Sequence, residues 1–88
     1  IRCAPGGVGF AKTGANYAAS LNSYEKTLKL GCDQTMWLDA DEHKFIEEMS
    51  GMNFFAVMDG VLHTPALTDT ILDGVTRRSI MDIARADN

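Results

Sequence analysis

The chain reads as an α+β domain: a helix, an antiparallel strand meander and a second helix. Three observations predict this. Apolar residues recur at helical spacing after Asn16 and again after Gly74. Between those stretches lie short runs rich in Trp, Phe, Val and Met, the composition of strands. Asp59-Gly60 separates two of these runs and is a strong two-residue hairpin signal.

Residues 1–11 are expected to be loop and short strand, punctuated by Pro5, Gly6, Gly7 and Gly9. Asn16 is a fair N-cap for the first helix, in which Ala18, Leu21, Leu28 and Leu30 form an apolar stripe ending at the C-capping Gly31. Gln34 to Asp39 predicts a strand, Asp41-Glu42-His43 a hairpin turn, and Lys44 to Glu48 the return strand. Asn53 to Met58 is apolar on both faces, which predicts a third, buried strand. The run Val61 to Thr64 pairs with it and stops at Pro65. After a loop to Asp73, helical period returns over Gly74 to Ala86, with Val75, Ile80, Ile83 and Ala84 on the buried side.

Composition narrows the function. With 88 residues the chain makes at most one small domain, burying only about 60–65% of its unfolded surface. A hydrophobic fraction of 45% against 23% charged excludes a disordered tail. The net charge of -4, with both signs interspersed, argues against nucleic acid or an anionic membrane as a partner. No apolar run approaches the roughly 20 residues that span a bilayer. Cys3 and Cys32 lack metal-ligand spacing, so no metal site is expected. They read as reduced thiols of a reducing compartment, the cytoplasm or, in a eukaryote, the mitochondrion. The chain opens at Ile1 on a turn-like Ala4-Pro5-Gly6-Gly7 and closes on an uncapped helix, which reads as an interior piece of a longer protein.

Three segments could carry chemistry. Lys12 precedes the small residues Gly14 and Ala15, and Tyr17 follows on the first helical turn. A partly desolvated amine there is a usable Schiff-base nucleophile, although a solvated surface lysine would look similar alone. Glu47 and Glu48 lie between Ile46 and Met49; strand alternation sends them to opposite faces, so that one can be solvated while the other points inward. The plainer alternative is a pair of edge-strand charges. Leu72-Asp73-Gly74-Val75-Thr76-Arg77 opens a helix, whose free N–H groups and positive dipole end suit an anion. Gly74 permits close backbone approach and Thr76 offers a hydroxyl, while Asp73 would equally serve as a plain N-cap. His43 and His63 read as incidental, and Trp37, the methionines and Phe54-Phe55 as packing residues.

Together these segments resemble the branched-chain amino acid aminotransferases, within the fold-type IV pyridoxal phosphate enzymes. The resemblance runs over essentially the whole chain. It rests on Ala4-Pro5-Gly6-Gly7, Lys12 through Leu21, Trp37-Leu38-Asp39-Ala40, Glu48 through Phe55, Thr64-Pro65 and Gly74-Val75-Thr76-Arg77. It implies that residues 1–88 are part of the larger, cofactor-binding domain of a protein that is a homodimer at full length. It also implies pyridoxal 5'-phosphate as cofactor, with leucine, isoleucine or valine and 2-oxoglutarate as substrates. Lys12 would be the lysine that carries the cofactor and moves the α-proton, and Tyr17 would hydrogen-bond its phenolic oxygen. Glu48, rather than Glu47, would sit at the pyridine nitrogen and keep it protonated. Leu72 would pack near the ring, while Val75 and Thr76 would bind the phosphate.

Two residues depart from the pattern. Ala15 stands where relatives usually have a second glycine, which requires that its φ not be positive. Asp73 replaces a usual proline and brings negative charge toward a phosphate unless its carboxylate is engaged in capping the helix. Two other readings stand beside this one. One is a catalytically inert folding or interaction module. The other is a type IV enzyme with a different substrate, such as a D-amino acid aminotransferase or an aminodeoxychorismate lyase; Asn16-Tyr17 and Met52 through Phe55 favour the branched-chain group.

Overall fold

A computed structural model describes residues 1–87. Helix α1 (Gly14–Lys29) is followed by strands β1 (Met36–Leu38), β2 (Ile46–Met49) and β3 (Met52–Asn53). A separate hairpin of β4 (Ala56–Met58) and β5 (Val61–His63) then leads to helix α2 (Val75–Ala86). Strands β1, β2 and β3 form an antiparallel sheet in that order, with Glu48 opposite both Trp37 and Asn53. The expected α+β class holds, with β2 in the middle of the sheet.

Several boundaries differ from the sequence expectation. Residues 1–11 hold turns and bends but no strand. Helix α1 starts at Gly14 after Thr13, so Asn16 is not its N-cap. The Asn16 amide instead turns inward, donating to the carbonyls of Val8 (3.0 Å) and Ala11 (2.9 Å). At the other end Gly31 does terminate the helix: its φ of 74° lets Gly31 N–H reach Leu28 O and Cys32 N–H reach Thr27 O, a Schellman closure. The third strand is broken. Asn53 ends β3 by donating from its side chain to Leu72 O, and Ala56–Met58 leaves the first sheet to pair with β5. Val57 and Met58 are exposed, so this strand is not buried.

The helices also depart from the expected stripes. Ala18, Leu21 and Leu28 on α1 and the following Leu30 are exposed, as are Val75, Ile80, Ile83 and Ala84 on α2. No described element covers those faces. The buried set is instead dominated by polar groups: Arg2, Asn16, Glu47, Glu48, Thr70 and Arg77, around Trp37 and Ile71. No described helix is long and apolar enough to cross a membrane.

Candidate active site

The polar interior is built where three distant segments meet. The N-terminal loop and α1 bring Arg2, Asn16 and Tyr17; β2, the following turn and β3 bring Glu48, Ser50 and Asn53; the last loop and α2 bring Leu72, Val75, Thr76 and Arg77. They enclose a cavity of about 430 Å³. Gly74 permits the close approach at one corner, because a Cβ there would collide with Asn53 Oδ1.

Five of the expected site residues, Tyr17, Glu48, Leu72, Val75 and Thr76, line this one cavity. Lys12 is not a wall of it. Its exposed side chain sits beside Tyr17, with Nζ 4.5 Å from the ring centroid, a cation–π distance. The Lys12 charge nevertheless reaches the site, acting on Glu48 to favour its ionised form. The desolvation expected of this amine is not provided by the described residues.

Glu47 and Glu48 point to opposite faces, as alternation requires, but both are buried. The expectation that one would be solvated fails because β2 is the central strand rather than an edge. Glu47 Oε1 accepts a hydrogen bond from Thr70 Oγ1 (2.7 Å), and its Oε2 has no partner. Glu48 is 4% exposed and lies 2.5 Å from Arg2 Nε. The contact is an ion pair, since Nε–H is not aligned as a hydrogen bond. Burial pushes the Glu48 carboxyl above the ordinary range, and the neighbouring Arg2 pulls the other way.

Helix α2 presents its N-terminus to the cavity through Val75 and Thr76, with Gly74 as an extended N-cap and no side chain bonded to the first-turn N–H groups. Asp73 does not cap the helix. Its carboxylate is held by the Arg78 guanidinium, through Nε at 2.9 Å and a closer Nη2 contact, which keeps its pKa below the ordinary value. Ala15 sits in α1 without positive φ, so the departure from glycine costs no backbone strain.

Sequence reasoning missed Arg2, and it placed Asn53 and Arg77 within motifs without giving either a role at the site. Arg77 is buried on the cavity wall; its Nη2 donates to Pro65 O (3.0 Å) and its Nε has no partner. Asn53, a polar residue between Met52 and Phe54, was the one carrying a local signal. Arg2 gave none, because two of its three partners, Glu48 and Thr70, lie far along the chain. Cys3 and Cys32 are free thiols, and Cys3 packs near the site with Sγ donating to Thr70 O (3.2 Å).

The geometry fits a planar phosphorylated ring. An acidic group faces one side, a helix N-terminus another with the Arg77 side chain in the same wall, and a lysine stands at the tyrosine edge.

Comparison with known proteins agrees with that geometry. The branched-chain-amino-acid transaminase 1 of Bacillus subtilis is 52% identical over 86 residues, covering 98% of this chain. A probable branched-chain-amino-acid aminotransferase of Streptomyces coelicolor is 51% identical over 85 residues, covering 97%. The chain spans 24% of the length of each. The crystal structure of the Escherichia coli branched-chain amino acid aminotransferase superposes with a TM-score of 0.86 at 37% identity, covering 97% of this chain and 28% of that one. The T.th. branched-chain amino acid aminotransferase complexed with N-(5'-phosphopyridoxyl)-L-glutamate gives 0.85 at 33% identity, covering 98% and 28%. With the profile described as Amino-transferase class IV matching residues 9–88, the chain belongs to the class IV aminotransferase family.

Proposed function

We propose that the protein carrying this segment is a pyridoxal phosphate-dependent branched-chain aminotransferase, and that residues 1–88 are part of its larger, cofactor-binding domain. The observation that carries this reading is the single cavity walled by Tyr17, Glu48, Leu72 and the α2 N-terminus, with Lys12 against Tyr17. Relatives named for branched-chain substrates at about half identity support the substrate class. The T.th. enzyme solved with pyridoxamine 5'-phosphate supports the cofactor.

When bound, pyridoxal phosphate supplies an electron sink for density leaving the substrate α-carbon. Lys12 would hold the cofactor through Nζ and would serve as the general base that carries the substrate α-proton. The Tyr17 hydroxyl would hydrogen-bond the cofactor's phenolic oxygen. Glu48 would keep a proton on the ring nitrogen, and Leu72 would pack against the ring. The Val75 and Thr76 N–H groups, with the Thr76 hydroxyl, bind the phosphate at the positive end of α2. Leucine, isoleucine or valine exchanges its amino group with 2-oxoglutarate. The full-length protein acts as a cytoplasmic homodimer, with the remainder of the fold and the partner subunit completing the site.

Borohydride reduction of the full-length protein loaded with pyridoxal phosphate tests this. Peptide mapping is expected to find the phosphopyridoxyl group on Lys12, and Lys12→Ala to lose the adduct and lower turnover by about 10²–10⁴ or more. An adduct on another lysine sinks the reading. Faster turnover of D-alanine or an (R)-amine than of L-leucine would reassign the substrate while leaving the cofactor site intact.

A further inference from the structure

Arg2 is 7% exposed, and one of its nitrogens, Nη2, donates to both Gly9 O and Thr70 O at 2.6 Å. That double anchorage leaves the guanidinium no freedom to swing away, and it presents Nε to Glu48 Oε1 at 2.5 Å. Glu48 in turn is fixed on the middle strand between Trp37 and Asn53. The close approach of these segments depends on Gly9, where a Cβ would meet Cys3 Sγ and the Thr70 backbone.

From this geometry we propose that Arg2 is a positioning residue of the site: it locks the Glu48 side chain and keeps it a carboxylate, so that Glu48 meets the cofactor ring as an anion. The proposal rests on the assignment of Glu48 to the ring nitrogen. The charges acting on Glu48 are Arg2 from the N-terminal loop, Glu47 from its own strand and Lys12 from the loop before α1. Glu47 opposes ionisation. Lys12 is exposed, and its amine is the group committed to the covalent bond. Arg2 is therefore the one buried, permanently charged cation paired with Glu48 among the described residues. Without it, Glu48 would be a buried acid with no buried cation beside it and a second buried acid, Glu47, next in sequence, and a buried carboxylate in that position relieves its cost by taking up a proton. A neutral Glu48 could then only share a proton with the ring nitrogen, and the ring would lose the charge that draws electrons from the substrate.

The test is a carbon-13 NMR titration of the Glu48 carboxyl in the full-length apoprotein, assigned by its disappearance in Glu48→Gln, with nitrogen-15 NMR of the labelled cofactor ring in the loaded protein. In Arg2→Met the Glu48 midpoint is expected to rise by about one pH unit or more, a tenfold change, and the ring nitrogen to lose its proton at neutral pH. Arg2→Lys, which keeps the charge but not the fork, is expected to restore most of both signals; a residue that only pinned the loop would give no such rescue. An unmoved Glu48 midpoint in Arg2→Met overturns the proposal, even if Glu48→Gln alters the ring signal. An unaltered ring signal in Glu48→Gln overturns the assignment of Glu48 itself, and this proposal with it. Should Arg2→Met not fold, the unmodified apoprotein decides: Glu48 found protonated at neutral pH with Arg2 in place overturns it.

Discussion

Asn16 is 5% exposed although it lies in the first turn of a helix whose only other buried residue is Thr27. Its amide ties Val8 O and Ala11 O together, and so shapes the loop that carries Lys12. Asn16→Ala is expected to leave both carbonyls without this donor, costing about 1–3 kcal/mol in thermal or denaturant unfolding of the full-length protein. It is also expected to slow pyridoxal phosphate attachment at Lys12, read by the same borohydride trapping; unchanged stability and attachment would deny Asn16 this role. By its residue type Asn16 reads as the cap of α1, yet Thr13 occupies that position. What decided was a pair of carbonyls five and eight residues upstream. Similarly, the choice of Glu48 over Glu47 came from the family resemblance, whereas the burial of both follows from β2 being the central strand.

At the scale of elements, the β1–β2 hairpin depends on one side chain. The Asp39 carboxylate accepts the N–H groups of Glu42, Lys44 and Phe45, each at 2.7 Å. Those bonds, that from Phe45 foremost, hold its pKa far below the ordinary carboxylate range. Because the folded value is depressed, the stabilisation is fully present above the unfolded aspartate value of about 3.9 and is lost as pH falls through the folded value. Amide exchange at Glu42, Lys44 and Phe45 is expected to stay slow down to strongly acid pH, and to become several-fold faster at neutral pH in Asp39→Asn. Equal protection in the two proteins would show that the turn holds without the carboxylate. The order of helices and strands was legible from period and turn residues, and Gly31 and Asp59-Gly60 fall where expected, both Gly31 and Asp59 with positive φ. What was not legible is which apolar face finds a cover. Leu21 on α1 is 65% exposed and Val75 on α2 81%, since periodicity reports an interface without saying which part of the protein supplies its other side.

Taken whole, the described chain inverts the usual layout in part, with Arg2, Arg77, Glu47 and Glu48 inside and Leu21, Val75 and Ile83 among the apolar residues outside. Only Trp37 and Ile71 form its buried apolar core among the described residues, and a two-stranded hairpin such as β4–β5 has little stability alone. The 88-residue chain produced by itself is therefore expected to bind an apolar dye strongly and to lose structure on heating without a cooperative transition, whereas the full-length protein shows a sharp transition and weak dye binding. A sharp transition in the isolated chain would refute this. The cavity was legible as three motifs but not as one place, because its closure runs through Arg2, whose donation to Thr70 O spans 68 residues. That span sets a clock on biosynthesis. At a translation rate of about 5–20 residues per second, the Thr70 carbonyl is made roughly 3–14 s after Arg2, and exit from the ribosomal tunnel delays their meeting further. For that interval the nascent chain carries Lys12 with no finished cavity beside it, so on the proposed function vitamin capture follows the closing of this long loop.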